Sequence, residues 1–252
     1  MTTPFTYDFG YSWPVAWGHA IPAVVFGLLL GLALWRHWPA WLTAIFGLVT
    51  AWAVTAVFAI QALLGINLPV RIPDPQFMAA GAGRVLDIGA GSGRATIGLL
   101  LARPALRVTA VDIYSGYYGI DDNTPARLLD NARRAGVADR VDVEVGDSRH
   151  LPFDAAAFDG AISTYAIDHM NWQGTTASVQ EASRVLKPGG QFLLEIMNGD
   201  GWMHFVLPLH VHGHFKPSQD RWRALLQVSG FDILQEGTAP ATLYWIVRKR
   251  VP

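Results

Sequence analysis

The charged residues of this chain are confined almost entirely to its last two-thirds. It carries 19 Lys and Arg and 20 Asp and Glu, yet before residue 84 only Asp8, Arg36, Arg71 and Asp74 appear. Residues 9–35 and 37–70 contain none of the four types. A helix needs about 20 residues at about 1.5 Å rise to cross about 30 Å of hydrocarbon, and both runs are long enough. The sequence therefore predicts a helical hairpin over 1–66, with helices at about 17–36 and 40–66 joined by Arg36-His37-Trp38-Pro39. Trp13, Trp17, Trp35, Trp38 and Trp41 flank the apolar runs, where an indole sits well among lipid headgroups. Gly27 and Gly31 have the spacing that allows close helix contact, within one chain or between copies. His19 and Gln61 are suited to capping or interhelical hydrogen bonds. A cleaved signal peptide would need a basic start, and no Lys or Arg precedes Arg36. Two helices that are apolar all round are also hard to enclose in a soluble core of this size.

Cysteine is absent, which excludes disulfides and thiolate chemistry. A formal net charge of -1 gives no case for a nucleic-acid partner, and the short cluster Arg133, Arg134 and Arg140 does not alter that. Residues 67–83 read as a linker, with Pro69, Pro73 and Pro75 preventing continuation of the helix.

From residue 84 the pattern changes to strands alternating with helices. Strand signals fall at 84–88, 107–111, 141–145, 158–163, 191–197, 231–234 and 242–248. Helix signals start near Arg94 and fall at 124–135, 175–186 and 218–228, with Thr124 as a cap and Pro125 in the first turn. Such alternation implies a mostly parallel sheet covered on both faces. Only Gln235–Ala241 separates the last two strands, too little for a helical crossover, so they should pair antiparallel.

Gly89, Gly91 and Gly93 follow the first of these strands and open a helix, so backbone can approach a ligand without interference from Cβ. Asp112 ends the second strand, where a carboxylate can accept from two ribose hydroxyls. These features suit a dinucleotide or another adenosine cofactor, and alone they do not choose between them.

Read together, VLDIGAGSGRAT at 85–96, VTAVD at 108–112, GD at 146–147, LPFDAAAFDGAIS at 151–163 and RVLKPGG at 184–190 resemble class I S-adenosylmethionine-dependent methyltransferases, in the flavour of small-molecule enzymes that modify quinones and lipids. The resemblance covers about 84–250. It implies an α/β, Rossmann-like, seven-stranded, mostly parallel sheet with an antiparallel last strand, here preceded by the all-α transmembrane hairpin. It implies S-adenosylmethionine as cofactor, with Asp87, Gly89, Gly91 and Gly93 around the amino-acid part and Asp112 on the ribose. Ile113 would pack on the adenine, Asp147 would meet its amino group, and Ser148 would lie beside it. Lys187 reads as a helix-end cation rather than a base.

Methyl transfer from a sulfonium needs alignment and exclusion of water rather than a protein nucleophile. The acceptor side should lie above the fourth and fifth strand ends, where Tyr165, Asp168 and His169 are the catalytic candidates. His169 has a pKa suited to moving a proton and Asp168 could orient it, while capping or packing is the competing role for His169. Tyr114, Tyr117 and Tyr118 could wall the same pocket. His204, His210, His212 and His214 fit an interfacial lid, a substrate contact or a metal site, and no resident metal is expected. The expected activity is methylation, by in-line attack, of a small apolar or membrane-associated acceptor. Membrane lipids and a second copy through the hairpin are the expected partners. The chain is placed in the membrane as a multi-pass protein with its catalytic domain in the cytoplasm, where the cofactor is made. An NAD-dependent oxidoreductase and a non-catalytic, membrane-anchored cofactor-binding module are the competing functions.

Overall fold

The computed structural model describes residues 6–115, 120–198, 206, 217–239 and 241–251. They form two compact units, one comprising 1–10, 67–198 and 214–252, the other 11–66 and 199–213.

The first unit is a seven-stranded sheet of β1 (Ala82–Ile88), β2 (Ala105–Asp112), β3 (Val141–Val145), β4 (Phe158–Thr164), β5 (Leu186–Met197), β6 (Phe231–Ala239) and β7 (Thr242–Lys249). Its order is β3-β2-β1-β4-β5-β7-β6. Pairings from β3 to β5 are parallel, and β7 lies antiparallel between β5 and β6. The short connection at 240–241 thus closes the expected hairpin, and the sheet matches the Rossmann-like mixed sheet that the sequence implies. The order reverses between β1 and β4, which leaves a crevice at the carboxyl end of β1, the usual ligand position in open α/β sheets.

One face of the sheet carries the largest core. Leu194, Ile196 and Phe192 of β5 and Trp245 and Val247 of β7 pack with Val179 and Ala182, and with Trp222, Leu225 and Leu226. Trp222 stacks on Trp245 with ring centroids 6.1 Å apart. Aromatic burial on this scale supplies much of the drive to fold. The helices have built ends. Thr124 caps the helix Pro125–Arg134 through the Arg127 amide, Asn171 caps Trp172–Val185 through Gly174, and Ser218 caps Gln219–Val228 through Arg221.

Residues flanking the apolar segment in sequence pack on this unit. Tyr7 and Phe9 are buried, Asp8 pairs with Arg127 at 2.6 Å, and Asn131 receives the Asp8 amide while donating to the Asp8 carbonyl. After the segment, Val70 donates to the Arg94 carbonyl and Phe77 is fully buried beneath Arg103, whose Nε donates to the Phe77 carbonyl.

The second unit contains helices Trp13–Trp17, Ala20–Trp35 and Ala40–Phe58, the last continued by a π-turn over Ala59–Leu63. Ala40–Leu63, at 24 residues, is long and apolar enough to cross a membrane; Ala20–Trp35, at 16, is shorter. The two long helices pack through buried Ala33, Ala53 and Ala56 and through Phe26 and Phe46. Gly27 faces Thr50, whereas nothing approaches Gly31, so the glycine pair does not act as one contact motif among the described residues. Gln61 donates to the Ala16 carbonyl at 2.8 Å, an interhelical bond of the expected type. His19 stacks edge-on against Trp52. Leu28 and Leu48 are 72% and 71% exposed, and Ile21, Val24, Leu34 and Phe58 are exposed with them.

Candidate active site

The strand β1 delivers a buried carboxylate to the start of the glycine loop. Asp87 is fully buried, its Oδ2 accepts from Thr96 Oγ1 at 2.5 Å, and its Oδ1 is buried with no partner among the described residues. Burial raises its pKa to about 7; the Thr96 bond opposes this, and the nearby Asp112 charge adds to it. The chain then turns back through Gly89 (φ 76°), where a Cβ would stand 2.3 Å from the Cβ of Ala166. Gly91 and Gly93 also lie at positive φ, and Gly93 caps the helix Arg94–Ala102.

Asp112, at the end of β2, closes the arrangement. Its Oδ2 accepts from the Gly91 amide at 2.9 Å, and its Oδ1 accepts from the Tyr114 amide at 2.7 Å and Asn123 Nδ2 at 3.3 Å. The carboxylate thus fixes the loop and keeps a lone pair on Oδ2 for a ligand. Ile113 is 52% exposed beside it. Asp87, the glycine loop, Asp112, Thr96, Tyr114 and Asn123 are therefore one connected cluster.

Asp147 follows β3, and the preceding Gly146 amide donates to the Asp112 carbonyl, so the ends of β2 and β3 are tied together. Arg149 grips Asp147 with Nε at 2.9 Å, and this bond holds the Asp147 pKa below the ordinary range. The Ser148 hydroxyl is engaged with Ser178 at 2.9 Å, which gives it a role in packing the loop on the next helix. Lys187, expected at a helix end, is instead the second residue of β5, where it pairs with Asp159 at 2.6 Å.

The acceptor-side candidates share the turn after β4. Tyr165 sits at φ 51°, its amide donates to the Glu195 carbonyl at 2.9 Å, and its hydroxyl pairs with that of Thr242. Asp168 accepts from the Met197 amide at 2.9 Å through Oδ2, which clamps the end of β5, while its Oδ1 is buried without a partner among the described residues. His169 closes the short 3-10 turn through its amide to Ala166. No hydrogen bond between Asp168 and His169 is formed among the described residues. Tyr117, Tyr118 and the histidines 204, 210, 212 and 214 lie outside the described residues. Among those described, no group of three His, Asp or Glu could hold a metal.

Sequence reasoning passed over Thr96, Asn123, Arg94 and Glu195. Glu195 is the one charged residue in the apolar run Gln191–Met197, a signal that could have been used. It is 3% exposed, and burial lifts its pKa to about 8 against the opposing charge of Arg94.

The residue set fits an adenosine cofactor with an amino-acid tail. The unpaired Asp87 oxygen needs a cation or donor, the glycine loop leaves room where a Cβ would intrude, and Asp112 stands at the second strand end as a hydroxyl acceptor. Comparison with known proteins agrees. A family model described as a methyltransferase domain matches residues 85–190. The chain is 35% identical over 130 residues to a 27-O-demethylrifamycin SV methyltransferase of Amycolatopsis mediterranei, covering 50% of this chain and 40% of that protein. It is 32% identical over 136 residues to a ubiquinone/menaquinone biosynthesis C-methyltransferase of Bartonella quintana, covering 50% and 49%. It spans less than half the length of either relative. A solved 1,6-didemethyltoxoflavin-N1-methyltransferase of Burkholderia thailandensis, with bound 1,6-didemethyltoxoflavin and S-adenosylhomocysteine, shares the fold at TM-score 0.50 and 23% identity, covering 68% of this chain and 72% of that one. The family model thus supports a methyltransferase domain over residues 85–190, and the solved structure shows a likeness of fold.

Proposed function

We propose that this chain is a class I S-adenosylmethionine-dependent methyltransferase that acts on a small organic acceptor held at or in a membrane. The observation that carries the reading is the fully buried Asp87, with one oxygen bound to Thr96 and the other unpaired beside a glycine loop fastened to Asp112. The cofactor supplies a methyl group on a sulfonium, an electrophile that needs no activation by the protein. Asp87 would receive the ammonium of the amino-acid tail, Asp112 would accept from a ribose hydroxyl, and Ile113 would cover the adenine. Asp147, held ionised by Arg149, accepts from the adenine amino group, and Ser148 supports that loop through Ser178. The glycine loop and Asp112 fix the cofactor's pose, which aligns the transferable methyl for in-line attack. On the acceptor side, Tyr165 and Thr242 form a polar wall, Asp168 holds the end of β5, and His169 takes the proton an acceptor releases.

The membrane part of the reading rests on the exposed apolar helices of the second unit and on the 24-residue span Ala40–Leu63. A helical pair of this composition partitions into a bilayer, with the α/β unit on the cytoplasmic side and a lipid-dissolved acceptor within reach. The relatives named for a rifamycin and for ubiquinone/menaquinone biosynthesis support an organic rather than a macromolecular acceptor.

The test uses the full chain purified in detergent. Calorimetry should detect S-adenosylmethionine and S-adenosylhomocysteine and no NADH, and methyl-labelled cofactor incubated with a membrane extract should label a lipid-soluble small molecule. Binding of NADH alone would establish the oxidoreductase reading, and cofactor binding without label transfer to any extract would leave a binding module.

A further inference from the structure

Among the described residues of the proposed cofactor site, Tyr114 carries a polar group to which the roles above give no work. Tyr114 lies two residues beyond Asp112 at φ 49°, a left-handed conformation that a tyrosine adopts only when its surroundings require it. Its amide donates to Asp112 Oδ1 at 2.7 Å. The hydroxyl is buried with no partner among the described residues. Burial holds the phenol above its usual range, with the charges of Asp112 and then Asp87 adding to the effect, so the group remains a neutral donor within reach of both carboxylates' fields.

A buried unpaired hydroxyl is costly unless a ligand completes it. The cofactor's polar groups divide cleanly by charge. Its ammonium and ribose hydroxyls are donors and match Asp87 and Asp112. Its tail carboxylate is the one anion, and neither aspartate can receive it. A neutral O–H donor can. Resting on the methyltransferase reading above, we propose that Tyr114 is a cofactor-binding residue whose hydroxyl donates a hydrogen bond to the carboxylate of the amino-acid tail, selecting cofactors that carry that group.

The probes are S-adenosylmethionine and decarboxylated S-adenosylmethionine, which differ in that carboxylate. Both are titrated calorimetrically into the full chain in detergent, as wild type and as Tyr114→Phe. The wild type should bind S-adenosylmethionine the more tightly. Y114F should weaken it by roughly 10- to 100-fold, the effect of one hydrogen bond to a charged group, and leave the decarboxylated probe's affinity unchanged. The unfolding midpoint of Y114F without ligand should equal or exceed that of the wild type, since only an unpaired polar atom is removed. An equal loss for both probes, no loss for either, tighter binding, or a lowered midpoint would each overturn the assignment. Wild-type protein that binds neither probe would overturn the methyltransferase reading itself, and this inference with it.

Discussion

At the scale of single residues, Asp87 joins stability to function. Below its unfolded value near 4, both folded and unfolded chains hold the proton, and its contribution to stability is complete. As pH rises toward about 7 the unfolded chain ionises while the buried group does not, so stability is lost over that window and then levels off. The cationic tail of the cofactor favours the ionised form, so its affinity should rise as pH passes through about 7. Asp87→Asn should therefore unfold at a higher temperature than wild type at about pH 8, yet bind S-adenosylmethionine roughly 10- to 100-fold more weakly. Thermal melts and calorimetry on the same samples check both signs; an equal affinity in the two proteins would remove Asp87 from the site. Gly89 is constrained differently. Its φ of 76° and the 2.3 Å approach to Ala166 mean that Gly89→Ala should cost about 2–4 kcal/mol in denaturant unfolding. The three glycines and Asp112 were legible as a ligand cradle because only glycine tolerates that turn. Asn123 and Thr96 were not, since a partner supplied by another segment leaves no mark in local sequence.

At the scale of elements, alternation of apolar strands with capped helices located every strand of the sheet, and Thr124 and Pro125 begin their helix as their chemistry requires. The helix Trp172–Val185 starts three residues before the expected 175, because Asn171 supplies the cap through Gly174. The stretch 67–83 reads as a proline-rich linker, yet Phe77 within it is fully buried and its carbonyl is held by Arg103. Phe77→Ala should cost about 3–5 kcal/mol, a core value that a solvated linker would not give, measured by denaturant unfolding. Likewise Asn131→Ala removes both hydrogen bonds to the Asp8 backbone and should cost about 1–3 kcal/mol in the same assay.

At the scale of the whole molecule, an apolar helical unit is inserted between residues 10 and 67 of the α/β unit, which is interrupted again between 198 and 214. The exposed Leu28 and Leu48 are the positions at which a charge would oppose transfer into hydrocarbon, by roughly 2.5–3.5 kcal/mol each at mid-bilayer. Wild-type chain should remain in the membrane fraction through alkaline carbonate washing, and the Leu28→Lys, Leu48→Lys double variant should be released with its cofactor affinity intact. Retention of the variant would show that these helices do not hold the protein to the bilayer. Local chemistry, written in order along the chain, was sufficient for the division into apolar and α/β parts, the strand sequence and the glycine-and-aspartate cradle, because periodicity, turn conformation and hydrophobicity act between near neighbours. Only the tertiary structure decided that β7 lies between β5 and β6, that residues 6–10 pack on the α/β unit, and that Asp87 keeps one oxygen unpaired while Asp168 clamps β5. Those outcomes depend on which distant groups meet when water is excluded, and burial acts on the folded surface rather than on the order of residues.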